Sequence, residues 1–216
     1  MFTAYKNLTL AIVRFVNAPR QQNYEQYRHK YLLKPAQKAE LLEAGRLVVE
    51  RRLAHAGTGE ISLRLSADQL ASNALHRDLA RLDDEQLLIT SLERAGPAAP
   101  RHLAWHQAIY AGTAAQGVVL GQPPYTLVLA HSGLSPLEII APEIAEAIGG
   151  VTLLSGSETT AETLTTLAAH HHALIVPQVG ALVWGNSLPD AVARLEALEY
   201  LCQLTALSRL NTGELP

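Results

Sequence analysis

The chain has 216 residues, of which 48% are hydrophobic and 17% charged, enough apolar material for the core of one large domain or two small ones. Seventeen Lys and Arg against twenty Asp and Glu leave a net charge of −3, which gives no general attraction to nucleic acid or to an anionic membrane surface. The single cysteine, Cys202, excludes an intrachain disulfide and fits a reducing compartment.

In chain order, the first apolar run is Leu8 to Val16. It is interrupted by Arg14 and is about half the ~20 residues that a spanning helix needs. No small-residue cleavage pattern follows it, so neither a membrane segment nor a signal peptide is expected, and the expected location is the cytoplasm. Tyr24 to Leu33 mixes polar and apolar residues. Pro35 then suits the first turn of a helix running to about Ala54, with Leu41, Ala44, Leu47 and Val48 on its inward face. Gly57 stands where a left-handed helix end favours glycine.

Glu60 to Leu65 alternates polar with apolar residues, which predicts a strand with one buried face. A second strand is expected at Gln86 to Thr90, a helix at Arg101 to Gly112 after the Pro97 and Pro100 loop, and a strand at Gly117 to Gly121. Short helices follow at Pro124 to Ala130 and Ala141 to Ile148, and a strand at Val151 to Leu154. Thr159 and Glu162 have capping-box spacing for the next helix. Ala173 to Val176 and Ala181 to Trp184 form a hairpin, and the helix from Pro189 to about Ser208 carries Ala191, Leu195, Leu198, Leu201 and Cys202 on its apolar side. With no repeat or linker-like stretch and with helices and strands interspersed, the pattern predicts one α/β domain.

Several landmarks in this order resemble the class II aldolase/adducin family. Gly57-Thr58-Gly59-Glu60-Ile61-Ser62-Leu63-Arg64 is similar to a glycine turn leading into an Asn-x-Ser strand, with Glu60 in the place of asparagine. Trp105-His106-Gln107-Ala108-Ile109-Tyr110, with Gly117 to Tyr125, resembles the helix and strand that carry a metal-binding His-x-His. Val176 to Gly185 looks like the Asn-His-Gly hairpin, and Leu188 to Glu199 like the closing helix. The resemblance implies a central, largely antiparallel sheet flanked by helices on both faces. It divides the chain into an N-terminal extension of the same domain, residues 1–43, and the aldolase/adducin-like domain, residues 44–216. It also implies a homo-oligomer, most simply a tetramer.

Aldolases of the family hold a divalent metal with three histidines, and a glutamate moves protons. On the positions that match, this chain has Leu120, Gln122 and Val179 in place of the histidines and His102 in place of the glutamate. Leucine and valine offer no donor atom and a neutral amide is a poor zinc ligand, so neither a metal nor any other cofactor is expected. Glu60 and the segment Ser91-Leu92-Glu93 replace phosphate-binding elements with two carboxylates, which would repel a phosphate.

His102, His106 and Tyr110 share one helix face at four-residue spacing, so they are candidates for acid–base chemistry, although His106 and Tyr110 could equally be packing residues. Gln122, Gln178 and Glu60 are candidate ligand contacts, and the two amides could also simply fill the cleft. His170-His171-His172 suits a helix end better than a metal site, because three consecutive side chains diverge. Gly156-Ser157-Glu158 lacks the flanking glycines of a nucleophile elbow. The expectation is a metal-free, catalytically altered member of the family that binds a small-molecule ligand or assembles. The alternatives are a lyase or isomerase that uses His102 and His106 for proton transfer, and, if the residues match differently, a divalent-metal sugar-phosphate aldolase.

Overall fold

The computed structural model describes residues 33–55, 57–132, 141–154 and 159–212. The N-terminal apolar run, most of Tyr24 to Leu33, and Gly156-Ser157-Glu158 lie outside them.

Helix α1 (Pro35–Glu50) opens with proline in its first turn, and the Lys34 N–H donates to the Gln37 side chain at 3.0 Å. Leu41, Ala44 and Val48 are buried beneath it as the spacing predicts. The helix stops short of Ala54, because Arg52 takes the left-handed conformation (φ 58°) expected of Gly57. Gly57 (φ 72°) instead turns the chain into the first strand, and a Cβ there would sit 3.2 Å from the His76 carbonyl oxygen.

Seven strands follow: β1 (Glu60–Arg64), β2 (Gln69–Asn73), β3 (Leu87–Ser91), β4 (Gly117–Gly121), β5 (Val151–Leu153), β6 (Ala173–Val176) and β7 (Gly180–Gly185). They form one sheet in the order β3-β2-β1-β4-β7-β6-β5, antiparallel throughout except for the β5–β6 pair. Strand β2 has no periodic signal. Its run of Gln, Leu, Ala, Ser and Asn becomes a strand because β1 and β3 supply hydrogen-bonding partners on both sides.

The remaining helices are α2 (Leu103–Gly112), α3 (Pro124–His131), α4 (Pro142–Ile148), α5 (Ala161–Ala168) and α6 (Leu188–Thr212). The N-cap of α5 is Thr160, whose hydroxyl accepts from the Thr163 N–H, so the capping role falls one residue beyond Thr159. Helices α1, α3, α4 and α6 cover one face of the sheet, against Ile61, Leu63, Val119, Ile175 and Val183. Helices α2 and α5 cover the other, against Val118, Leu120, Leu174, Val176, Leu182 and Trp184. The apolar stripe of α6 is buried from Ala191 to Cys202, and burial pushes the Cys202 thiol up to about 12, which leaves it inert as a nucleophile. This is the single-domain α/β architecture expected, with helices on both faces of a largely antiparallel sheet. No helix among the described residues is long and apolar enough to cross a membrane.

Candidate active site

Both faces of β1 are buried, which corrects the reading of one buried face. Ile61 and Leu63 enter the apolar core, whereas Glu60, Ser62 and Arg64 point the other way, toward α2. Two strand residues advance about 6.6 Å and four helix residues about 6 Å, so alternate residues of β1 meet every fourth residue of α2 nearly in register. Three rungs result: Glu60 with His102, Ser62 with His106, and Arg64 with Tyr110.

At the first rung the Glu60 carboxylate accepts from the His102 backbone N–H at 3.2 and 3.1 Å and lies 2.9 Å from His102 Nδ1. A carboxylate can only accept, so Nδ1 carries a proton, and in the neutral ring Nε2 is left with its lone pair. The His102 ring also packs on Trp105, with centroids 4.4 Å apart. At the second rung His106 is fully buried, with Nδ1 2.7 Å from Ser62 Oγ, which is in turn 2.9 Å from the Tyr110 hydroxyl. Its Nε2 has no hydrogen-bond partner and lies 3.7 Å from Glu60 Oε2. Burial pushes the His106 pKa down to about 4, only partly offset by the Glu60 charge, so the ring is neutral and the contact is not an ion pair. At the third rung the Arg64 guanidinium donates to the carbonyls of Tyr110, Thr113 and Ala115 and sits 4.8 Å above the Tyr110 ring. Burial holds the Tyr110 phenol well above its ordinary range, as an un-ionised group.

The ladder places an acid at the N-terminus of α2 and a cation at its C-terminus, which complements the helix dipole at both ends. Glu60 therefore has a structural role as well as any chemical one. The two ends differ in what they leave free: Arg64 spends its donors on backbone carbonyls, whereas the Glu60 end opens into a cavity of about 360 Å³ with the His102 ring beside it. Glu60, His102, Gln122 and Gln178 all line it, together with His76 and Arg101. The structure thus brings four of the six candidates to one cavity and leaves His106 and Tyr110 in the layer behind. Gln122 is already engaged, its Oε1 accepting from Thr58 Oγ1 at 2.7 Å and its Nε2 donating to the Thr58 carbonyl at 3.2 Å. Gln178 is exposed and adopts a left-handed backbone (φ 65°), as does His76 (φ 56°). Two of the three described non-glycine residues in that conformation border this one cavity, a clustering found where strain serves a site. Spacing marks neither His76 nor Arg101 as a site residue, because each lies in a loop outside any periodic or ligand-spaced pattern.

The Ser91-Leu92-Glu93 segment does not reach the cavity, so one carboxylate, not two, faces it. His171 and His172 serve the sheet edge, where His171 Nε2 meets Thr152 Oγ1 and His172 Nδ1 meets the Gly149 carbonyl.

Residues 39–206 match the model of the class II aldolase and adducin N-terminal domain family. The chain belongs to that family. Methylthioribulose-1-phosphate dehydratase from Methylococcus capsulatus is 28% identical over 193 residues, covering 77% of this chain and 91% of that protein. L-fuculose-1-phosphate aldolase from Thermus thermophilus superposes with a TM-score of 0.73 at 24% identity, covering 82% of this chain and 96% of that one. YgbL from Escherichia coli gives a TM-score of 0.71 at 23% identity, over 80% of this chain and 89% of that one. The two structural likenesses carry the class II aldolase fold and nothing finer.

The metal that the resemblance implies for family aldolases does not fit the residues present. Leu120 is buried in the core opposite Glu60, Val179 borders the cavity without a donor, and both polar ends of Gln122 are taken by Thr58. Among the described residues no three His, Cys, Asp or Glu side chains converge as a metal site would need.

Proposed function

We propose that this member of the class II aldolase family is a metal-independent proton-transfer enzyme, of lyase or isomerase type, acting on a small hydroxylated carbonyl compound. The observation that carries the reading is the Glu60–His102 pair on the wall of an open cavity. A carboxylate orients an imidazole whose second nitrogen is free, on a side chain about one-fifth exposed. His102 Nε2 serves as the general base for a proton next to the substrate carbonyl and returns that proton as an acid. Glu60 fixes the ring tautomer and favours the imidazolium formed in between. Gln178 and Arg101, which line the cavity, would supply donors to the developing oxyanion.

The cavity volume lies at the small end of ligand pockets, consistent with a compact substrate. A relative named as a dehydratase also supports the lyase class. This reading moves His106 and Tyr110 out of the reacting layer and gives Glu60 the part of orienting partner.

The test uses protein treated with chelator and incubated in deuterium oxide with hydroxyacetone, dihydroxyacetone and dihydroxyacetone phosphate. Proton NMR then follows loss of the signal next to the carbonyl. Exchange by wild type that is lost in His102→Gln supports the reading. Tight binding without exchange would make the chain a binding protein instead, and exchange that needs added zinc would make it a metal-dependent aldolase. We further propose that the chain assembles as a homo-tetramer in the cytoplasm; light scattering at micromolar concentration that finds only monomer would refute the assembly.

A further inference from the structure

We infer that Tyr110, Ser62 and His106 form a one-way hydrogen-bond relay that positions the Glu60–His102 pair, with the His106 proton on Nε2, facing Glu60. The functional consequence rests on the proposed activity; the arrangement itself does not.

The direction follows from counting protons. His106 Nε2 is buried, has no hydrogen-bond partner, and lies 3.7 Å from Glu60 Oε2. A lone pair on Nε2, an atom that solvent does not reach, would oppose the carboxylate oxygen, whereas an N–H presents its positive end to it. The ring is neutral, so a proton on Nε2 leaves Nδ1 as an acceptor. Its neighbour at 2.7 Å is Ser62 Oγ, which must therefore donate its single hydrogen. Ser62 then has only lone pairs to offer across the 2.9 Å to the Tyr110 hydroxyl, so Tyr110 donates. Burial keeps that phenol protonated, as the relay requires. The sequence of donors runs Tyr110 O–H to Ser62, Ser62 O–H to His106 Nδ1, and His106 Nε2–H toward Glu60. On the far side of the carboxylate, His102 Nδ1–H points back at Glu60. Reversing the relay would set a lone pair against Glu60 and leave the Tyr110 hydrogen to find another acceptor.

The 3.7 Å separation is too long for a hydrogen bond. His106 consequently acts on Glu60 through the field of its N–H, and it is a positioning residue that does not touch substrate. Its effect is to hold Oε2 in place, so that Oε1 stays with His102 and the base keeps its lone pair on Nε2.

The tautomers can be read without any substrate. Long-range nitrogen–proton NMR on the intact, uniformly ¹⁵N-labelled protein at neutral pH, with peaks assigned from single variants, should show His106 protonated on Nε2 and bare on Nδ1. His102 should show the opposite pattern. In His106→Leu the His102 nitrogens should shift toward the average of the two tautomers, whereas His106→Gln, whose amide keeps an N–H near Glu60, should preserve the wild-type pattern. Ser62→Ala gives a second test of the same shift if the leucine variant does not fold. In the exchange assay on hydroxyacetone, His106→Leu should lower kcat by about tenfold at nearly constant KM, with His106→Gln close to wild type. A His106 proton found on Nδ1, or a His102 pattern unmoved in both His106→Leu and Ser62→Ala, would overturn the relay. Correct tautomers in a wild-type protein that exchanges no proton would support the relay and refute the activity.

Discussion

The two ends of α2 are held by the same strand and by the same electrostatic logic, yet they differ in what remains free. At the C-terminal end the Arg64 guanidinium donates to three carbonyls and stacks over a buried tyrosine. At the N-terminal end Glu60 satisfies the backbone and ring donors of His102, but the histidine keeps a second nitrogen on a side chain that lines a cavity. Capping a helix dipole accounts for both charges. It does not account for the imidazole that the carboxylate holds at the cavity wall. Chemistry is to be sought where the ladder has unused capacity.

The sharpest way to test that contrast is to remove the free nitrogen. His102→Gln should lower the exchange rate by about 10² to 10⁴, the usual worth of a positioned acid–base group. Its urea midpoint should move by less than about 1 kcal/mol equivalent, since the side chain is partly exposed and the backbone bond to Glu60 survives.

Acid should act on the ladder's middle rung. His106 titrates near 6.5 when unfolded and about 4 when folded, so between those values the unfolded chain binds the extra proton. This contribution to stability is intact above about pH 6.5 and is lost as pH falls toward 4, by about 3 kcal/mol in all. Urea titrations across that range should show the loss in wild type and a smaller one in His106→Gln.

At the Arg64 end, Arg64→Met should cost about 2 kcal/mol by stranding the carbonyls of Tyr110, Thr113 and Ala115, with the exchange activity nearly unchanged. Glu60→Gln should cost less, about 1 kcal/mol, because the amide oxygen still accepts from the His102 N–H while the charge at the helix N-terminus is gone. Loss of exchange in Glu60→Gln despite the smaller stability loss, with exchange kept in Arg64→Met despite the larger one, would separate a purely structural charge from one with a second role.

The sheet and its coverings were legible because most strands and helices carry their own apolar signal, as in the unbroken β4 run Gly117 to Gly121 and the α6 stripe from Ala191 to Cys202. Strand β2 was not, since its short polar and small residues acquire strand geometry only from neighbours. The site was half legible. Four-residue spacing placed His102, His106 and Tyr110 on one helix face, and the family resemblance placed that face over the cleft. Burial separated them: His102 reaches the cavity, and the other two lie behind it. Glu60 reads as a ligand contact because it stands where the family it resembles has asparagine, and only the packing of α2 on that side of β1 turns it into the partner of His102. His76 and Arg101 depend on loop conformation, which no local pattern encodes.

The most direct test of a metal-independent base at the open end is to compare deuterium exchange into hydroxyacetone by chelator-treated wild type, the same protein supplied with zinc, and His102→Gln. Equal rates are expected for the first two and loss in the third. Exchange that appears only with zinc, or that persists without His102, would contradict it.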